Sequence, residues 1–66
     1  MEIFAERLKE LRNENNLSQA KLAKELNVDC STIAKYETCK ISPSVEMLIL
    51  IARYFKVSVS YLLGEE

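Results

Sequence analysis

The sequence predicts an all-α protein, a compact bundle of five short helices, and two observations support this fold class. At four places an apolar residue precedes a Ser or Asp, and another apolar residue follows four positions after that cap. The Ser or Asp oxygen can accept a hydrogen bond from a first-turn amide while the apolar pair closes over it, which marks a helix start. Apolar residues also recur at helical spacing, so no β-strand is needed. The four starts are Leu17-Ser18-Leu22, Val28-Asp29-Ile33, Pro43-Ser44-Leu48 and Val57-Ser58-Leu62.

The first two helices follow from this spacing. Helix one is expected over residues 2–15, and Asn15-Asn16 ends it because Asn tolerates the left-handed conformation found at helix C-termini. Helix two is expected over residues 19–26, after the Ser18 cap. The side chains expected to be buried are Phe4, Leu8 and Leu11 in helix one, and Ala20, Leu22, Ala23 and Leu26 in helix two.

The remaining helices differ sharply in apolar content. Helix three, expected over 30–37, offers only Ile33 and Tyr36 as apolar contacts, which is too little for a mainly structural helix. Helix four, over 45–55, is the expected core helix. Helix five, over 59–63, ends at Gly64 as the left-handed residue. The apolar face of helix four comprises Val45, Leu48, Ile51, Ala52 and Phe55.

Length and composition allow one small domain, residues 1–66. A chain of 66 residues buries about 60% of its unfolded surface, so its stability is expected to be marginal unless a dimer adds to the core. The apolar share of 48% and the charged share of 29% are those of a soluble globular protein. With no apolar run near the ~20 residues needed to span a bilayer and no signal-peptide pattern, we expect a cytoplasmic protein.

The two cysteines do not indicate a metal or a disulfide. They are not spaced as CxxC, and without histidine the chain cannot supply four zinc ligands. A helix between Cys30 and Cys39 would hold them more than ~10 Å apart, beyond disulfide reach. We therefore expect free thiols and no cofactor. Redox sensing by Cys30, at a helix N-terminus that favours thiolate, is a minor alternative.

Net charge gives only weak guidance on partners. A value of −1 argues against binding a polyanion, because such affinity comes largely from Lys and Arg. The acids, however, concentrate in helix one and at the tail. The central stretch carries four lysines and three acids: Lys21, Lys24, Lys35 and Lys40 against Glu25, Asp29 and Glu37. This mild segregation is compatible with an anionic partner.

Five segments of the chain, in this order and spacing, form a recognisable pattern: RLKELR (7–12), LSQAKLAKELNV (17–28), STIAKYE (31–37), Pro43-Ser44 and VSVSYLLG (57–64). With these segments the chain resembles the phage repressor and Cro-like helix-turn-helix DNA-binding domains, also called the xenobiotic-response-element family. The resemblance covers essentially the whole chain. It implies a five-helix bundle whose helices two and three form the helix-turn-helix, with helix three as the recognition helix in the DNA major groove.

The resemblance also assigns DNA contacts by position. Lys35 is implied as a donor to guanine O6 or N7, while Ser31 and Thr32 tolerate several bases. The implied base-facing set is Gln19, Cys30, Ser31, Thr32 and Lys35. The implied phosphate contacts are Ser18, Lys40, Ser42 and Ser44, helped by amides at the start of helix four, and Gln19 can serve here too.

Three further expectations rest on the resemblance. Arg12 and Glu37 are expected to form a partly buried ion pair, which we favour over a DNA contact by Arg12. Relatives commonly have a left-handed Gly where this chain has Cys39, so a different path is expected for the loop over 38–42. A homodimer is expected to use helix five and the chain's end through Val57, Val59, Tyr61, Leu62 and Leu63.

Together these features predict a transcriptional regulator, expected to be a repressor, that binds a pseudo-palindromic double-stranded DNA site as a homodimer. Two alternatives stay open: a protein-interaction module with the same fold, and the DNA-binding part of a longer regulator. Catalysis is disfavoured, because the sequence has no histidine, no phosphate-cradling glycine loop and no nucleophile beside a base.

Overall fold

The computed structural model describes residues 2–66 and contains, in that range, five α-helices and no strand. They are α1 (Glu2–Glu14), α2 (Gln19–Leu26), α3 (Cys30–Glu37), α4 (Val45–Phe55) and α5 (Val59–Leu63). The predicted all-α bundle is confirmed, and only the end of α1 differs from expectation, by one residue. Within these residues, every helix is too short or too polar to cross a membrane.

Three of the four predicted caps are made by side chains. The hydroxyls of Ser18, Ser44 and Ser58 accept from the amides three residues later, at 3.0, 3.1 and 2.9 Å. Asp29 occupies the N-cap position of α3 with extended backbone, but its side chain makes no capping hydrogen bond, so that part of the prediction is wrong. The Asp29 side chain is exposed, and its carboxylate can keep its water instead.

Left-handed residues end the helices and turn the chain. Asn16 and Asn27 adopt φ values of 56° and 63°, as their tolerance of this conformation allows. Cys39 also adopts a left-handed φ of 64°, so the expected change in loop path is wrong. The strain of its β-carbon, of the order of 1–2 kcal/mol, is outweighed by the hydrogen bonds of the turn. At Gly64, φ is 81° and an added β-carbon would lie 2.7 Å from the Ile3 side chain, so any other residue would strain the backbone and displace Ile3.

One hydrophobic core joins all five helices. The aromatic rings of Phe4 and Tyr36 meet edge to face, with centroids 5.8 Å apart, and so link α1 to α3. The prediction of burial is wrong for two residues: Ala20 lies exposed in the first turn of α2, and Val45 is 71% exposed in the first turn of α4. The fully buried large side chains are Phe4, Leu8, Leu22, Ile33, Ile51 and Leu62.

Arg7 ties α1 to α5. Its guanidinium lies 4.2 Å from the centre of the Tyr61 ring and donates hydrogen bonds to the carbonyl oxygens of Tyr61 and Glu66. The Tyr61 carbonyl, in α5, also accepts from the Gly64 amide at 3.1 Å, and the Glu66 carbonyl lies beyond the end of the helix. Helix α3, in turn, packs mainly on α1 and α2.

Candidate nucleic-acid interface

Helix α3 has two chemically different faces. Ile33 and Tyr36, at 0% and 6% exposure, anchor it to the core. Cys30, Ser31 and Lys35 are exposed and Thr32 is half-buried. Because residues four apart share a helix face, Ser31 and Lys35 stand together on the outer surface. The structure therefore presents the predicted base-facing residues of α3 at the surface, along an outer face about 12 Å long.

The end of α3 is closed by a hydrogen-bonded turn. With Cys39 in the left-handed conformation, the Lys40 amide donates to the Lys35 carbonyl at 2.8 Å, and the Thr38 hydroxyl donates to the Ala34 carbonyl at 2.9 Å. This arrangement satisfies acceptors at the helix C-terminus. It also fixes the backbone of Lys40 next to the outer end of α3, with the Lys40 side chain exposed.

The predicted ion pair between Arg12 and Glu37 is present and holds α3 onto α1. Arg12 Nε and Nη2 donate to the two carboxylate oxygens of Glu37 at 2.7 and 3.1 Å, a bidentate geometry. Arg12 Nη1 also donates to the Leu17 carbonyl at 2.8 Å, which joins the pair to the chain entering α2. Their side chains are only 12% and 3% exposed, so this is an internal structural pair.

Gln19 joins this network from the first turn of α2. Its Nε2 donates to Glu37 Oε1 at 3.1 Å, so Gln19 is half-buried and less available than the sequence interpretation supposed. An amide nitrogen carries two N–H groups, and one remains to donate elsewhere. The Glu37 carboxylate thus accepts three hydrogen bonds, two from Arg12 of α1 and one from Gln19 of α2.

The ion pair also sets the charge near α3. The hydrogen bonds that Arg12 donates to the Glu37 carboxylate raise the pKa of Arg12, so its guanidinium stays charged at any physiological pH. Because Arg12 neutralises Glu37, the acid at the end of α3 contributes little negative potential beside Lys35 and Lys40. The exposed Asp29 remains the nearest acid at the other end of the helix.

The predicted phosphate contacts lie exposed around α3. Ser18 and Ser44 use their oxygens to cap α2 and α4, yet a hydroxyl that accepts through a lone pair can still donate its own hydrogen. Capping and phosphate contact are therefore compatible at both serines. Ser42 lies exposed in the α3–α4 connection, next to the exposed Lys40 and Ile41.

The cysteines are both exposed and are not joined by a disulfide, as predicted. Cys30 is the first residue of α3 and lies on the surface that the resemblance assigns to DNA. Its exposure leaves the minor redox hypothesis open to test.

Helix α5 and the residues before it expose only part of the predicted dimer interface. Leu62 is fully buried in the chain's own core, so its assignment to a dimer interface is wrong in this fold. Val57, Val59 and Tyr61 are half-buried and pack against the same core. Leu63, 36% exposed, is the most accessible of the five.

A second apolar surface lies on α4 and was not predicted from the sequence. Ile49, Leu50 and Tyr54 are 38%, 47% and 37% exposed. The signal was present, since α4 carries apolar residues on its outer face as well as on its core face.

The bundle, the α2–α3 turn and the polar outer face of α3 define a helix-turn-helix domain. A family model described as helix-turn-helix matches residues 8–62. The chain belongs to this family, in its Cro/C1-type form.

Named relatives are transcriptional regulators. The chain is 42% identical over 64 residues to the HTH-type transcriptional activator BcrR of Enterococcus faecalis, an alignment covering 96% of this chain and 31% of that protein. It is 31% identical over 63 residues to the HTH-type transcriptional regulator ImmR of Bacillus subtilis, covering 96% of this chain and 50% of ImmR. It is 34% identical over 61 residues to the immunity repressor protein of Bacillus phage phi105, covering 92% of this chain and 42% of that repressor. The chain thus spans between about a third and a half of the length of these relatives.

Proposed function

We propose that this chain is a transcriptional regulator that binds double-stranded DNA through the outer face of α3. The observation that carries the proposal is the division of α3 into a buried side and an exposed side that bears Ser31 and Lys35. The polar outer face of α3 adds nothing to the hydrophobic core, so packing does not explain it. The DNA major groove, by contrast, is wide enough to accept an α-helix. Membership of the helix-turn-helix family and the names of its relatives agree with it.

In this proposal the contacts divide into reading and positioning. Lys35 donates to guanine O6 or N7, and Ser31 and Thr32 donate to or accept from neighbouring base edges. Cys30 contributes an apolar contact, which suits a thymine methyl group. The hydroxyls of Ser18 and Ser44 contact phosphate.

Gln19, Lys40 and Ser42 complete the phosphate contacts. Gln19 has one amide N–H held by Glu37 and one left for a phosphate oxygen or a base edge. Lys40 supplies charge, and the first-turn amides of α4 add the positive end of the helix dipole.

We further propose that the regulator binds as a homodimer. One eight-residue helix spans only a few base pairs, whereas two copies about 34 Å apart read successive turns of one DNA face. Leu63, with the exposed edges of Val57, Val59 and Tyr61, supplies the contact beside α5. Bound over a promoter, such a dimer represses by occupying the polymerase site.

A binding selection tests the proposal. Purified protein is mixed with a random duplex library at near-physiological salt, and the retained DNA is sequenced. We expect an inverted repeat with half-sites about one helical turn apart. Retention without enrichment, lost as salt rises, would mean backbone attraction alone and would favour the protein-interaction module instead.

Substitutions in α3 then connect the DNA to the residues. Lys35→Ala is expected to weaken operator binding by about 5–150-fold, the range for one direct base contact, and to relax preference at its own base pair. Ser31→Ala combined with Lys35→Ala should abolish selectivity. Lys9→Ala, an exposed change in α1, is the matched control and should leave affinity nearly unchanged. Equal affinity of the double variant and the wild type would mean that this surface is unused.

A further inference from the structure

A groove of about 450 Å³ lies between the C-terminal ends of α2 and α4. The proposed DNA contacts do not use it. Leu50 and Tyr54, which line it, are 47% and 37% exposed, and Ile49, which precedes Leu50 on α4 but does not line the groove, is 38% exposed. Several large apolar side chains grouped in one exposed place mark an interaction surface more often than single exposed ones do. The groove is lined by Glu25, Leu26, Asn27, Leu50, Arg53 and Tyr54.

The groove and the proposed DNA contacts are made by different residues. Both helices that form the groove begin at capping serines, Ser18 and Ser44, which are among the proposed phosphate contacts. At 1.5 Å per residue, Glu25 is about 10 Å along α2 from its cap and Tyr54 about 15 Å along α4 from its own. At the other edge, Asn27 lies three residues before α3 begins. None of the residues proposed to contact DNA lines the groove.

Charge makes the groove complementary to itself. Glu25 flanks the apolar centre from α2, and Arg53 flanks it from α4. In a two-fold contact, any pair of residues that meets across the interface occurs twice, once in each direction. Glu25 of each copy can therefore pair with Arg53 of the other. The Tyr54 hydroxyl donates to Glu25 over 3.5 Å, a long bond that leaves the carboxylate able to accept from an arginine.

We propose that this α2–α4 groove binds the same groove of a second copy of the chain, and that it thereby pairs operator-bound molecules. The inference rests on the proposed function only for the DNA-bound state. The contact is separate from the dimer contact beside α5, because none of the residues that line the groove belongs to α5.

The size of the groove sets the strength of the contact. A stable interface covers about 800 Å² of each partner, which is about a fifth of the 4236 Å² surface of this chain. Six lining residues supply less than that. Free chains should therefore pair weakly, and pairing should become significant where DNA holds several copies at high local concentration.

The test is sedimentation of protein bound to a short duplex with one operator from the selection, over increasing complex concentration. We expect two complexes to pair, and Leu50→Glu to abolish pairing while single-operator affinity is unchanged. Arg53→Glu should also abolish it, because two glutamates then face each other. Combining Glu25→Arg with Arg53→Glu restores opposite charges and should restore pairing. Lys9→Glu, outside the groove, is the matched control.

Two results would overturn the inference. The first is that protein–DNA complexes do not pair at concentrations up to about 1 mM. If Leu50→Glu nevertheless changes regulation in cells, a different protein uses the groove. The other is pairing that the charge reversal does not restore. If the selection yields no operator, the proposed function fails independently of this inference. The same variants are then compared as free chains. Pairing at millimolar concentration that Leu50→Glu abolishes would still support contact between two copies through the groove.

Discussion

Replacing Arg12 by methionine tests the internal ion pair, because methionine keeps much of the volume and removes the charge. The change would leave the Glu37 carboxylate, whose side chain is 3% exposed, with only the Gln19 amide as a donor. An unpaired buried charge costs about 3–5 kcal/mol. Since the Arg12 side chain is 12% exposed and water can enter, we expect the lower value, about 3 kcal/mol.

That loss is large for this chain. At about 0.05–0.15 kcal/mol per residue, 66 residues give a free energy of unfolding of about 3–10 kcal/mol. The midpoint of thermal unfolding should fall by about 12–24 °C, at 4–8 °C per kcal/mol. Urea unfolding followed by circular dichroism at pH 7 measures the difference directly.

The second variant makes the reasoning refutable. Arg12→Met combined with Glu37→Leu removes both charges, so it should recover most of the lost stability and lie within about 1 kcal/mol of the wild type. Arg53→Met, on the exposed face of α4, is the control and should change stability by less than about 0.5 kcal/mol. A double variant as unstable as the single one would show that packing and not the unpaired carboxylate causes the loss.

The remaining predictions concern caps, turns and alkaline stability. Ser44→Ala should cost about 1 kcal/mol in urea unfolding, whereas Asp29→Ala should cost less because that side chain makes no capping bond; equal costs would contradict the assignment. Lys56→Gly should raise the unfolding free energy by up to about 1 kcal/mol, since Lys56 holds a left-handed φ of 59°, and a loss would mean that its side chain matters more. Burial raises the pKa of Tyr36 above its usual value, so the stability linked to its neutral form is complete below about pH 10 and falls as pH rises toward the raised value. Tyr36→Phe keeps the ring against Phe4 and should flatten this alkaline decline in a series of melting curves, while identical slopes would assign the decline to other groups.

Helix positions were readable from the sequence because they depend on local chemistry. Ser18, Ser44 and Ser58 each cap a helix through an oxygen that reaches an amide three residues away, and such a contact needs no distant partner. Asp29 is the exception: its side chain makes no hydrogen bond to a first-turn amide of α3, because an exposed carboxylate can be hydrated instead. Its hydration could not be read from its position.

The candidate interface was predictable in part. The outer face of α3 followed from its poverty in apolar residues, and the Arg12–Glu37 pair followed from the resemblance. The bond from Gln19 to Glu37 was not predicted, since it joins residues 18 positions apart through the packing of α2 on α3. It changes Gln19 from a freely exposed reader to a side chain held by its neighbour.

What the sequence by itself determined is the set of five helices, their ends and the polar character of α3, because each depends on residues within about one helical turn. Tertiary structure alone decided which apolar residues are covered. Leu62 and Leu63 are adjacent and chemically identical, yet one is fully buried and the other is 36% exposed. Val45 and Leu50 are likewise apolar residues of the predicted core helix, but both are exposed to solvent. Exposure depends on where the neighbouring helices end, and a helical pattern specifies a face without specifying what covers it.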